Sequence, residues 1–127
     1  MVEVRAFVFR YQKPCWKCSN QTPVLYAFRP RDNEKHLDFD PAWVGNYEVN
    51  PEHDQDMATA LAHRFEWYGP GFSNTMGEQV YACWCTSCGA LQGNHYIWKD
   101  MLQKWYENPQ PDEFIDYDSS YDADCAE

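Results

Sequence analysis

The stretch CWCTSCGALQG, Cys83 to Gly93, places three cysteines within six residues and follows them with a glycine. Only two of the three can form a tight metal-binding turn. Cys85-Thr86-Ser87-Cys88 has two intervening residues, so one turn can aim both thiolates at a single ion. A register using Cys83 and Cys85 has one intervening residue and makes a poorer turn. Gly89 directly follows Cys88, where glycine tolerates the positive φ that a tight turn often demands. The spacing selects Cys85 and Cys88, and Cys83 is expected to be a buried thiol packed near the site.

A second pair lies upstream, Cys15-Trp16-Lys17-Cys18, with Ser19 in the place of Gly89. Four thiolates from two such turns complete a tetrahedral structural site, which predicts one zinc ion per chain held by Cys15, Cys18, Cys85 and Cys88. The pairs are separated by 66 residues. Loop-closure entropy rises slowly with length, so a long insertion between the halves does not forbid the pairing. A thioredoxin-like redox role needs the motif between a strand and a helix start, and here the first motif lies between two expected strands. His36, His53, His63 and His95 show no paired ligand spacing. His95 is near the second pair in sequence, but four thiolates already fill the site. Cys125 is expected to be a free thiol.

Around the cysteines the pattern is α+β. VEVRAFVFRY alternates and uses β-formers, TPVLYAFRP predicts a second strand ended by Pro30, and EQVYACW (78–84) predicts a strand running into the second turn. A short strand is expected near Asn46–Val49. Asn50 as N-cap, Pro51 at the first position, and helical spacing of Met57, Leu61, Phe65 and Tyr68 predict a long helix over 51–68, stopped by Gly69-Pro70-Gly71. Ile97, Trp98, Met101, Leu102 and Trp105 predict a second helix over 95–106, capped by Asn94. The expected architecture is an antiparallel sheet resembling a zinc ribbon, with the long helix inserted between the two cysteine turns. The expected organisation is one domain over 1–106 and an acidic, aromatic tail over 107–127. In the tail Phe114, Tyr117 and Tyr121 fit one helical face; the alternatives are a solvated end and a docking segment that turns carboxylates outward.

The net charge is −10, and it is unevenly placed. Residues 1–35 carry net +4, residues 36–106 net −6, and residues 107–127 net −8. Phosphate repels most of such a surface, which disfavours general nucleic-acid binding. A basic partner protein, or contact between the acidic end and the basic start, fits better. Arg5, Arg10, Lys13, Lys17, Arg29 and Arg31 surround the first cysteine turn, with Trp16 available to stack on a base. Acidic pairs such as Asp38/Asp40 and Asp54/Asp56 are expected to face water. No apolar stretch approaches the ~20 residues of a membrane span, and no leader pattern opens the chain, so a cytoplasmic protein is expected.

VYACWCTSCGALQGN resembles the C-terminal half-site of small bacterial and phage zinc-ribbon proteins, and PCWKCSNQTPVLYAF resembles the matching N-terminal half. The resemblance covers about fifteen residues at each half and implies a metal and a ribbon-like topology. Only Cys15, Cys18, Cys85 and Cys88 carry over.

Catalytic signatures are missing from the sequence: it has no nucleophile elbow, phosphate-cradling glycine loop or H-E-x-x-H. The expectation is a non-enzymatic, zinc-stabilised protein-binding module. Asp112, Glu113, Phe114, Asp116, Tyr117, Asp118 and Tyr121 would form its partner surface. One version is an acidic inhibitor whose carboxylates stand where phosphates would, in a nucleic-acid-handling or defence protein. The alternative is a nucleic-acid-binding zinc ribbon masked by its own acidic tail. A surface so rich in aromatics is also compatible with a dimer.

Overall fold

In a computed structural model of the chain, the described residues are 2–30, 48–74, 76–93, 97, 99–101, 103, 107 and 110–120. β1 (Val2–Pro14) and β2 (Gln21–Pro30) form a long antiparallel hairpin whose tip is the first cysteine turn. β3 (Glu48–Val49) pairs with the end of β2. α1 (Gln55–Arg64) follows, then β4 (Tyr68–Ser73), β5 (Glu78–Trp84), β6 (Leu91–Gln92) and β7 (Glu113–Ser119). One sheet has the order β3-β2-β1-β7 and the other β4-β5-β6. The class is α+β, as expected.

β1 is interior to its sheet and buried on both faces. Val4, Ala6 and Val8 point one way and Phe7 and Phe9 the other, and all five are buried. Phe9 stacks on Phe28 of β2 at 5.6 Å. This core also takes in Met57 and Leu61 from α1, Cys83 from β5, and Ile97 and Met101. Residues 97, 99–101 and 103 are helical, in keeping with the second helix. Its proposed cap Asn94, and Trp98, Leu102 and Trp105, lie outside the described residues.

The long helix is corrected to ten residues. Its N-cap is Asp54, not Asn50. Asn50-Pro51-Glu52-His53 instead form a turn in which the Asn50 side chain accepts from Glu52 N at 2.9 Å. The helix ends at Phe65, which is extended (φ −122°, ψ 119°). Burial outweighs helical spacing here: Phe65 packs on Trp67 at 5.1 Å, and Tyr68 enters β4 opposite Cys83. Gly69-Pro70-Gly71 therefore lies within β4 and does not terminate a helix. Pro70 is tolerated because β4 is an edge strand. Gly71 is needed because a Cβ there would lie 2.2 Å from the Trp84 ring.

The helical reading of residues 113–119 is also corrected. They form β7, antiparallel to β1, with Arg5 opposite Asp116 and Phe7 opposite Phe114. On a strand Phe114 and Tyr117 fall on opposite faces. Phe114 is 55% exposed, whereas the Tyr117 hydroxyl reaches into the core toward Asp54. The acidic end thus contacts the basic start of the same chain.

Asp54 does not face water either: Asp54 and Arg29 are both 0% exposed and paired at 3.1 Å. The Tyr117 and Ser119 hydroxyls each donate to the same Asp54 oxygen at 2.8 Å. Its other oxygen accepts from Asp56 N and Met57 N, which caps α1. One buried carboxylate joins β2, α1 and β7. Among the described residues, no helix is long and apolar enough to cross a membrane.

Candidate metal centre

The two cysteine pairs sit at the tips of two hairpins, β1–β2 and β5–β6, which belong to different sheets. The backbone closes both tips in the same way. Cys15 N donates to Asn20 O at 2.8 Å and Ser19 N to Cys15 O at 3.0 Å. In the other tip, Cys85 N donates to Ala90 O and Gly89 N to Cys85 O, both at 2.9 Å. Ser19 has φ 66° and Gly89 φ 76°, so the equivalence extends to the left-handed residue that ends each turn. At Ser19 a residue with a Cβ accepts that conformation at a cost of about 1–2 kcal/mol.

The tips face each other. The ligand sulfurs of Cys15, Cys18, Cys85 and Cys88 all lie within 4.8 Å of one another. Cys15 Sγ is 3.7 Å from Cys88 Sγ, and Cys18 Sγ is 3.6 Å from Cys85 Sγ. A tetrahedron with metal–sulfur bonds of about 2.3 Å has edges of about 3.8 Å. The donor set and its spacing therefore fit a metal ion. Cys83 is not in the cluster; it is 0% exposed, and its sulfur meets Leu25 N at 3.4 Å.

The surroundings favour thiolates. Lys17 N points at Cys15 Sγ (3.3 Å), Ser87 N at Cys85 Sγ (3.4 Å), and the Gln92 amide at Cys15 Sγ (3.4 Å). Burial pushes the Cys15 thiol up, but the N–H groups of Cys18 and Lys17 and the Gln92 amide outweigh it and bring it to about 6. The Cys88 N–H holds Cys85 below the ordinary thiol value against burial. Cys88 is the opposite case: the Ala90 N–H lowers it, but desolvation and the three neighbouring sulfurs push it to about 11. A divalent cation relieves that crowding of sulfurs. Cys83, away from the cluster, is pushed to about 12 by burial.

Contacts outside the cluster also join the two tips. The Trp16 indole N–H donates to Leu91 O at 2.6 Å, and Thr86 N donates to the buried Thr22 hydroxyl at 3.2 Å. Gln92 was not singled out from sequence, and nothing in its local pattern marks it. It is 1% exposed, and its amide braces Ala90 O and Cys15 Sγ.

The basic cluster is largely committed to other contacts. Arg5 forms a two-pronged bond with Asp116 (2.6 and 3.1 Å) and covers the Phe114 ring. Arg10 pairs with Glu113 at 3.1 Å, and its backbone N–H donates to Asp112. Arg29 is buried on Asp54. Lys13 lies 3.8 Å from Asp100. Arg31, Tyr121, Cys125, His36 and His95 lie outside the described residues; His53 and His63 are exposed on and before α1.

The fold and site define an α+β protein in which two hairpin tips form one tetracysteine cluster. No protein-family model, curated protein or solved structure matches the chain.

Proposed function

We propose that the chain is a non-enzymatic, zinc-stapled binding module that works by contact with a basic protein partner. Zinc is the ion that suits four thiolates in tetrahedral array, and two hairpin tips delivering one pair each agree with the resemblance to zinc ribbons. A site closed by four protein sulfurs leaves no open position for water or substrate, which suits a structural metal.

The observation that carries the contact reading is the outward face of β7. Phe114, Asp116 and Asp118 alternate along it and are exposed, with an apolar ring set among carboxylates. Phosphate mimicry draws less support. Asp116, Glu113 and Asp112 already serve Arg5, Arg10 and Arg64 or the Arg10 backbone. The masked nucleic-acid reading requires the acidic end to leave. The register between β7 and β1 runs over seven pairs, and Tyr117 and Ser119 hold the buried Asp54, so displacement would dismantle the sheet.

Two experiments test the proposal. Native mass spectrometry should find one zinc per chain. Cys88→Ser should lose it with a large drop in melting temperature, because metal binding and folding are coupled, and Cys83→Ser should keep it. A pull-down from host lysate should recover a basic protein that Asp118→Lys and added salt both release. Equal recovery by wild type and Asp118→Lys refutes the β7 surface.

A further inference from the structure

Beside the metal centre lies an open cleft of about 890 Å3, lined by Trp16, Phe72, Trp84 and Leu91 with Lys13 and Lys17. That volume is within the ~300–1,000 Å3 typical of ligand sites. Trp16 is 69% exposed and Phe72 56% exposed. Both indoles are fixed by their edges: Trp16 Nε1 donates to Leu91 O and Trp84 Nε1 to Gly69 O at 2.9 Å. The rings are held in place by their N–H groups, so what they offer a ligand is their π faces. We propose that this cleft binds single-stranded nucleic acid, with Trp16 and Phe72 stacking bases and Lys17 and Lys13 meeting phosphates.

Two observations favour that occupant. First, Lys17 has no carboxylate partner among the described residues, whereas Arg5, Arg10, Lys13, Arg29 and Arg64 all do. A cation without a partner beside fixed aromatic faces is the pairing that single strands exploit. Second, the acidic β7 is held away from this end of the molecule. Among the described residues β7 pairs with Val2–Val8 of β1, and the acidic segment reaches as far as Arg10, which Asp112 and Glu113 contact. Lys13 lies three residues beyond Arg10, about 10 Å along the strand, and charges screen over about 8 Å at physiological salt. Asp100 is the one carboxylate among the described lining residues; it accepts from the Tyr11 hydroxyl at 3.0 Å and lies 3.8 Å from Lys13, which a phosphate would have to draw away.

This surface is separate from the β7 face, so each proposal can fail without the other. The test is fluorescence anisotropy of labelled single-stranded DNA and RNA 12-mers with the full, zinc-loaded chain. Binding should weaken with salt at a slope of about −0.7 to −1.4 on the double-logarithmic plot, for one to two phosphate contacts. Trp16→Ala should weaken it about tenfold or more, within the range of one lost stack. Phe72→Ala should weaken it in the same direction. Lys17→Ala should flatten the salt slope by about 0.7. Phe72 is exposed, so Phe72→Ala should keep the wild-type melting temperature and zinc content; Trp16→Ala also loses the bond to Leu91 O that joins the two tips, so its binding is compared at full zinc occupancy and well below its own melting temperature, and Asp118→Lys should bind as wild type does or more tightly. No binding at 50 mM salt, binding unchanged by Trp16→Ala and Phe72→Ala, or equal preference for duplex overturns the proposal. So does capture of a proline-rich peptide by the cleft in the absence of any nucleic-acid binding.

Discussion

Asp54→Ala tests whether one buried carboxylate holds three parts of the fold together. Asp54 and Arg29 are both fully buried, and the carboxylate also accepts from two hydroxyls and two helix N–H groups. Removing it leaves the Arg29 guanidinium without its counter-charge. Breaking a buried pair in this way costs about 3–5 kcal/mol. Loss of the N-cap adds about 1 kcal/mol. The sum, about 4–6 kcal/mol, is a large share of the ~5–15 kcal/mol that stabilises a typical domain. With a urea slope of about 2 kcal/mol per molar, the midpoint should fall by about 2–3 M, measured with zinc saturating so that the metal does not confound the comparison. Asp54→Asn keeps the cap and the size but not the charge, and should fall between. Arg29→Met with Asp54→Ser removes both charges and keeps a capping hydroxyl, so the double variant should be more stable than Asp54→Ala alone. A loss under about 2 kcal/mol for Asp54→Ala, or a double variant less stable than the single, refutes the reasoning.

Further expectations concern the turns and the surface. Ser19→Gly should stabilise by about 0.5–1 kcal/mol, since it relieves a positive φ at some cost in unfolded-chain entropy. Gly89→Ala should destabilise by about 1 kcal/mol for the converse reason; no neighbour lies within 4 Å of its Cβ, so the effect is conformational and not a clash. Gly71→Ala meets the Trp84 ring at 2.2 Å and should cost about 1–3 kcal/mol, with a change in Trp84 fluorescence. The Ser120 N–H and hydroxyl hold Asp56 below its ordinary value of 3.8. A depressed carboxyl adds stability above its unfolded value and loses it on acidification. The wild-type advantage over Asp56→Asn in urea should therefore be full at pH 7 and shrink as the pH falls below 3.8.

The parts of the molecule set by local chemistry were legible in the sequence. Two C-x-x-C spacings were enough to select Cys15, Cys18, Cys85 and Cys88 and to exclude Cys83, because the turn itself dictates which sulfurs converge. The strand at 78–84 was likewise clear from its residues and its position before a tight turn. What failed was decided across the chain. Met57, Leu61, Phe65 and Tyr68 keep helical spacing, yet Phe65 and Tyr68 gain more from packing on Trp67 and facing Cys83 than from extending α1. Phe114, Tyr117 and Tyr121 fit a helical period, but seven residues of β7 satisfy their backbone on β1, where Arg5 meets Asp116. Asp54 competed with Asn50 for the cap, and only the distant Arg29, Tyr117 and Ser119 decide between them.

The charge asymmetry of the chain acquires a structural meaning from these pairings. The basic start and acidic end oppose each other across β1 and β7, and the pair Arg5–Asp116 sits directly cross-strand, where opposite charges contribute about 0.2–1 kcal/mol. That is small beside the buried network, so the charges serve register more than stability. A slip of β7 by one residue would set Asp116 against Val4 or Ala6 and turn Tyr117 and Ser119 away from Asp54. The four-cysteine cluster lies at the other end of β1, where the β5–β6 tip meets the β1–β2 tip. Each end of the long hairpin is therefore closed by a contact far apart in sequence: Arg29 and Asp54 with β7 at one, four sulfurs at the other. Because neither closure shares residues with the other, removal of zinc should loosen the cleft around Trp16 and Leu91 before it loosens the sheet around Val4 and Tyr117, an order that hydrogen exchange on the metal-depleted chain would report.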